Sequence, residues 1–255
     1  MEEIVISSGG SRGIYALGAA WELQKQGYFE SAKTYSGTSV GAVIAVGLAL
    51  GRHPLAMVRT VMRFPLECDM SSPGQNFGLD GGKGLRRFIR RVLGLRRKTT
   101  LEDVHRISGK TVRICVCNVT DGIPEYWTHL THPEVDVVTA LRISCSIPLV
   151  FQPVRYNSKL YVDGAIVDPL PLVDESKTLA IGFEYPRSQS LDTMGDFIGA
   201  LRTANRPPSN LPRRQFLQLR CADLDEFQLV LPRGVLKKCF VSGKKQASDW
   251  IKKNV

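Results

Sequence analysis

Lys33-Thr34-Tyr35-Ser36-Gly37-Thr38-Ser39-Val40-Gly41-Ala42-Val43-Ile44-Ala45-Val46-Gly47-Leu48-Ala49-Leu50 is the stretch that decides the architecture. Lys33–Ser36 reads as a short strand, and Val40–Leu50 as a helix with no polar face, which must therefore be buried. Between them lies Gly37-x-Ser39-x-Gly41. A strand that turns this sharply into a helix lifts the middle residue to the apex with its hydroxyl exposed. The flanking positions are glycine because a Cβ at either would collide. The helix then aims its N-terminal N–H groups and the positive end of its dipole at that hydroxyl. By itself Gly-x-Ser-x-Gly is a common accident, and a plain glycine-rich connection is the competing reading. The strand before it and the apolar helix after it make Ser39 a candidate nucleophile.

Outward from this turn, the chain alternates strands with helices. Glu3–Ser7 is a short buried strand, and Ser8-Gly9-Gly10-Ser11-Arg12-Gly13 a glycine-rich turn. A helix follows with Ile14, Leu17 and Trp21 on one face. Residues 54–64 are helical, and Pro65 to Gly84, rich in Gly, Ser, Pro and Asp, reads as a loop or lid. Lys83–Leu93 is a basic amphipathic helix, Val112–Thr120 a strand paired with Glu125–His129, and Val135–Ser146 a helix. Val154–Tyr156 and Leu160–Ile166 flank Asn157-Ser158 as a hairpin, and Leu179–Glu184 is a further strand. A helix near Met194–Arg202 and a joint at Arg206-Pro207-Pro208 lead to a lysine-rich end. The expected class is α/β, with a mainly parallel sheet covered on both faces. Residues 1–205 form the expected catalytic domain, and 206–255 a basic extension packed on it or following it.

Composition sets the outer bounds. The 255 residues suit one large domain or two small ones, and 43% hydrophobic with 23% charged residues excludes disordered and collagen-like chains. The formal net charge of +10 asks for an anionic partner. It is concentrated: Lys83–Lys98 holds eight basic residues and no acidic one, and Arg233–Val255 seven against Asp249 alone, so the rest of the chain is mildly acidic. That distribution favours docking on an anionic membrane surface through Arg86, Arg87, Arg90 and Arg91, with a packed helix carrying a solvated arginine face as the alternative. No zinc-finger, RNP-type or helix-turn-helix pattern supports a nucleic-acid partner. Six scattered cysteines form neither a disulfide framework nor a Cys-x-x-Cys pair, and the four histidines do not join them at zinc spacing. The acidic start, Met1-Glu2-Glu3, does not read as a signal peptide, and Val40–Leu50 is about half a membrane span, so neither a secretory leader nor a spanning helix is expected. A cytoplasmic protein, peripheral on membranes, is expected; the oligomeric state is open.

Two further segments bear on the chemistry. The glycine-rich turn lacks Gly-x-Gly-x-x-Gly, the Gly-Lys-Ser/Thr ending of a P-loop, and a clear acidic ribose partner. Its successive N–H groups can instead serve as an oxyanion hole for a carbonyl attacked by Ser39. Arg12 beside them is a candidate headgroup contact or simply a helix-surface arginine. A serine hydroxyl also needs a proton acceptor. His129-x-x-His132 is one candidate; Asp163, closing the apolar run Tyr161-Val162-Asp163 ahead of Gly164, is better placed at a sheet edge, although Asp-Gly alone is commonly just a turn.

With these residues in view, the chain resembles the patatin-like phospholipases, lipid acyl hydrolases that use a Ser–Asp dyad without histidine. Four segments match in order: the glycine-rich loop at 7–13, Gly37 to Gly41, Ser144-Cys145-Ser146-Ile147-Pro148 through Pro153, and Asp163-Gly164 followed by Pro169-Leu170-Pro171. Two departures are visible: Ser8 stands where the loop has its usual first glycine, and Ala165 where a second glycine follows the aspartate. The resemblance implies a three-layer α/β/α fold, Ser39 as nucleophile, Asp163 as base, backbone N–H groups at Gly9, Gly10 and Ser11 as the oxyanion hole, and no metal or other cofactor. The implied substrate is a phospholipid or other acyl lipid. Phospholipase A-type hydrolysis is the leading expectation; neutral-lipid lipase, lysophospholipase, acyltransferase and a non-catalytic lipid-binding relative are the alternatives.

Overall fold

The computed structural model describes residues 1–68, 75–184, 211–221, 224, 228 and 230–254. The helix expected near 194–202, the joint at 206–208 and residues 69–74 of the expected lid lie outside them.

The spine of the molecule is a sheet of β1 (Glu3–Ile6), β2 (Thr34–Thr38), β4 (Thr111–Asn118), β5 (Ile123–Trp127), β7 (Val154–Tyr156), β8 (Lys159–Asp163), β9 (Thr178–Phe183) and β10 (Phe216–Leu219). The path runs β10-β9-β1-β2-β4, all parallel, then β8 and β7 antiparallel, with β5 antiparallel on β4. Two short strands, β3 (Gly78–Asp80) and β6 (Leu149–Phe151), pair parallel apart from this sheet. Strand periodicity sorts the core. Ile4, Ile6, Leu179, Ile181 and Phe183 join the large cluster, while Val5 and Ala180 point the other way onto Leu170 and Leu211. Both faces are thus covered, as an all-parallel centre requires. The layering is the expected α/β/α.

The helices are α1 (Gly13–Lys25), α2 (Val40–Ala49), α3 (Pro54–Arg63), α4 (Lys83–Leu93), α5 (Leu101–Ser108), α6 (Val137–Ser144) and α7 (Arg233–Asn254). As its apolar composition demands, α2 is buried from Gly41 to Ala49. Helix α4 points Leu85, Ile89, Val92 and Leu93 into the core, so its apolar stripe is spent on packing and only the arginine face remains outside. The basic C-terminal segment supplies β10 to the sheet edge and α7, which lies on α1 so closely that a Cβ on Gly18 would stand 2.1 Å from the Phe240 carbonyl.

The expected strand Leu160–Ile166 is shorter in the structure. Asp163 Oδ1 accepts the Ala165 N–H at 2.8 Å and Gly164 O accepts the Asp168 N–H at 2.9 Å, so the chain leaves β8 in a tight 3₁₀ turn over Gly164–Ile166. The expected loop 65–84 also holds β3, whose Asp80 and Gly82 form a turn: Asp80 Oδ1 accepts the Gly82 N–H at 2.5 Å.

Candidate active site

One feature of strand register creates the site. β4 is eight residues long and β2 only five. β5 takes one edge of β4 along Ile114–Asn118, so β2 and β8 must share the other. They approach from opposite directions: Thr38 ends β2 opposite Cys115, and Asp163 ends β8 opposite the next residue, Val116. The ends of the two strands therefore meet head-on, and Ser39 and Asp163 face each other across the gap, although 124 positions separate them in sequence.

Ser39 Oγ donates to Asp163 Oδ2 at 2.7 Å, and both residues are buried. The serine backbone sits at φ 57° and ψ −129°, a left-handed conformation that non-glycine residues rarely adopt. Such strain persists only where neighbours hold it. Ser144 Oγ does so, accepting the Ser39 N–H at 2.9 Å while donating to Cys115 O at 2.7 Å. The flanking glycines are sterically required: a Cβ on Gly37 would lie 2.5 Å from the Gly41 carbonyl carbon, and one on Gly41 2.2 Å from Ile6 O. The carboxylate is fixed as firmly. Its Oδ1 caps the following turn, and the Asp163 N–H donates to Ser146 O at 2.9 Å.

Ser144 and Ser146 belong to the segment leaving α6, and Arg142 one turn earlier holds that segment in shape. Its guanidinium donates to Ser146 Oγ and to Gln152 O, the latter at 2.9 Å, and lies over the Phe151 ring. Burial presses the Arg142 guanidinium down to about 10, against the pull of the Asp80 carboxylate. Cys145, also against Ser39, is held as a neutral thiol, its pKa pushed up by burial first and by the Asp163 carboxylate second. Cys115 is driven up the same way by burial.

A cavity of about 140 Å³ opens beside Ser39. Gly10 and Ser11 of the glycine-rich turn line it with Ser39, and the rest is almost wholly apolar, including Ile14, Leu17, Val43, Met57, Leu85, Ile89 and Phe151. Gly9 lies beneath, where a Cβ would strike the Phe183 ring at 2.3 Å. Arg12 is buried, and its Nε donates to Leu224 O at 3.4 Å. Around the paired strands β3 and β6, Phe77, Leu79 and Leu149 stand exposed at 72%, 43% and 47%, and Phe77 and Leu149 hold positive φ of 64° and 68°. Among the described residues, no group of three or more His, Cys, Asp or Glu side chains is arranged to hold a metal ion, and no helix is long and apolar enough to cross a membrane.

Of the two candidate bases read from sequence, the histidines lie elsewhere. His132 stacks on Trp127, and His129 on His105 at 3.7 Å between ring centroids. Arg87, Arg90 and Arg91 are at the surface, and Arg86 turns to α6, donating to Thr139 Oγ1 at 3.1 Å with Asp136 at 3.9 Å. Sequence reasoning placed no role on Arg142 or the Ser144 hydroxyl.

A family model of the patatin-like phospholipases matches residues 4–174. The chain belongs to the patatin-like phospholipase family. Relatives agree at low identity. A probable lipid hydrolase, 463L of Invertebrate iridescent virus 6, is 25% identical over 179 residues, covering 66% of this chain and 61% of its own. The mouse 1-acylglycerol-3-phosphate O-acyltransferase Pnpla3 is 28% identical over 189 residues, 69% of this chain and 42% of its own. The chain thus spans about three fifths of the viral relative and less than half of the mouse one. Among solved structures, VipD from Legionella pneumophila superposes with a TM-score of 0.71 at 15% identity, over 99% of this chain and 67% of that one. Full-length ExoU of Pseudomonas aeruginosa, in complex with SpcU, gives 0.54 at 18%, over 100% of this chain and 52% of that one. At these identities the structural likeness speaks for the fold.

Proposed function

We propose that this patatin-like protein is a lipid acyl hydrolase of the phospholipase A type, acting through a Ser39 acyl-enzyme with Asp163 as base. The observation that carries the reading is the 2.7 Å hydrogen bond between the hydroxyl of a strained strand-to-helix turn and a buried carboxylate. As Ser39 Oγ attacks an ester carbonyl, its proton passes to Asp163 Oδ2, and the new negative charge on the carbonyl oxygen falls to amides of the Gly9-Gly10-Ser11 turn. One such donor is worth about 10²–10³ in rate. Collapse of the tetrahedral adduct expels the alcohol, protonated by Asp163, and leaves the acyl group on Ser39. Water then attacks the ester, returning its proton through the same carboxylate. No metal or other cofactor enters this scheme.

The apolar cavity supports an acyl chain as the group held. At about 140 Å³ it is close to the size of an engineered apolar cavity that takes benzene, so it accommodates a short stretch of chain and must open for a long one. The exposed Phe77, Leu79 and Leu149 around β3 and β6, with the arginine face of α4, suit an enzyme that meets its substrate in an anionic lipid surface. Transfer of the same acyl group to an alcohol in place of water is the second reading, favoured by the relative named as an acyltransferase. A panel of phospholipids, lysophospholipids and triacylglycerol, with and without glycerol-type acceptors, separates the two by mass spectrometry. Free fatty acid and lysolipid with the wild type, and neither with Ser39→Ala, is the expected result. Full activity in Ser39→Ala overturns the mechanism, and acylated acceptor as the main product replaces hydrolysis by transfer.

A further inference from the structure

The arginine face of α4 is more than a charged surface. It closes on the turn between α2 and α3 to form an open groove of about 460 Å³, lined by Arg52, Arg87, Arg90, Arg91 and Arg96 with Gly94 and Leu95. Gly94 is what lets it close: at φ +69° it ends the helix in a left-handed turn, and a Cβ there would press to 3.0 Å on the Arg52 guanidinium.

The charges do not balance. Glu67 answers Arg87 at 3.0 Å and Arg91 at 3.9 Å, and Asp136 is divided between Arg86 and Arg90, each at 3.9 Å. Among the described residues no carboxylate reaches Arg52 or Arg96, and Arg52 Nε is buried without a hydrogen-bond acceptor. Arg52 and Arg96 therefore carry guanidinium charge that no carboxylate answers, and an anion in the groove completes it. The groove sits at the C-terminal end of α4, whose carbonyls present about half a negative charge; five guanidinium groups outweigh it.

We propose that this groove binds an anion carrying two or more phosphate groups, at a site separate from the catalytic cavity. Guanidinium forks match phosphate oxygens two at a time, and a cluster of five suits several phosphates better than one carboxylate. No aromatic side chain lines the groove itself, which disfavours single-stranded nucleic acid. It stands on the side of α4 opposite the acyl cavity, whose wall is Leu85 and Ile89 of the same helix. The anion therefore does not need to be the headgroup of the lipid being cleaved, and this assignment holds whether or not Ser39 acts as proposed.

The test uses the whole protein and two probes: inorganic tripolyphosphate, read by calorimetry and thermal shift, and phosphatidylcholine vesicles with or without a bisphosphorylated inositol lipid, read by co-sedimentation. Arg52→Gln/Arg96→Gln removes the two guanidinium groups that have no ion pair, so folding should be untouched, with an unchanged unfolding temperature in the absence of anion. The wild type should bind at least one probe, and this variant about tenfold or more weakly. Lys252→Gln/Lys253→Gln on α7, carrying the same loss of charge far along the chain, should bind as the wild type does. Binding of tripolyphosphate alone marks a free anion as the ligand; binding of the vesicles alone marks a lipid headgroup. No binding of either probe by the wild type, equal binding by the Arg52/Arg96 variant, or an equal loss in the α7 variant overturns the proposal.

Discussion

Ser144→Ala is the substitution that most sharply probes how the proposed nucleophile, Ser39, is held. The Ser144 side chain has no solvent exposure, and its hydroxyl stands between two backbone groups, accepting from Ser39 N–H at 2.9 Å and donating to Cys115 O at 2.7 Å. Removing one oxygen leaves a donor and an acceptor without partners, at about 1–3 kcal/mol each. The void of a single hydroxyl does not admit a water with its two to four polar contacts, so nothing replaces the bridge. The loss should total about 2–6 kcal/mol, toward the low end because the buried hydroxyl of Ser144 no longer has to be desolvated itself. That is a large fraction of the usual stability of a domain. Urea denaturation should show a lower midpoint with an unchanged slope. The turn around Ser39 then relaxes toward an unstrained φ, so ester hydrolysis should lose turnover more than apparent affinity, by about tenfold or more for each 1.4 kcal/mol of misplacement. A stability change under about 0.5 kcal/mol together with wild-type turnover would refute the idea that Ser144 holds the strained serine.

Other expectations are narrower. Asp103 closes a capping box on α5 with Thr100 and pairs with Arg106, which holds its carboxyl at about 2. A carboxyl depressed in the folded state stabilises above its ordinary value and loses that contribution as the pH falls. The gap in urea midpoint between wild type and Asp103→Asn should therefore be steady above pH ~5 and shrink toward pH ~2, whereas a constant gap contradicts the assignment. Replacing Phe77 and Leu149 by serine should weaken sedimentation with lipid vesicles while leaving hydrolysis of a soluble short-chain ester intact; unchanged vesicle binding removes these side chains from the lipid contact. Cys68 is exposed, whereas Cys115, Cys117, Cys145, Cys221 and Cys239 are buried, and burial raises Cys117 to about 11. Iodoacetamide at pH 8 should thus label Cys68 in the native protein and reach the other five only after unfolding, as peptide mass spectrometry would reveal.

The part of this architecture that could be read from sequence is the part written in neighbouring residues. The Ser39 turn announces itself because two glycines, an apolar strand and an apolar helix lie within eighteen positions, and Asp163 because an apolar run stops at Asp-Gly. Their meeting is less local: it follows from β4 outrunning β2, which no spacing in the chain records. The role of Ser144 is non-local in the same way: it lies in a segment that the resemblance marks, but the amide it holds is 105 positions away. The three-residue strands β3 and β6 carry too few residues to show a period. The arginines of α4 were legible as a basic stripe, yet the groove needs Arg52, thirty-five residues before Arg87.

Covalent trapping tests the central assignment most directly. Incubated with a fluorophosphonate that mimics the tetrahedral adduct, the wild type should gain one adduct, located on the peptide containing Ser39. Asp163→Asn should label far more slowly, and Ser39→Ala not at all. An adduct on any other residue, or undiminished labelling of Ser39→Ala, would contradict the account.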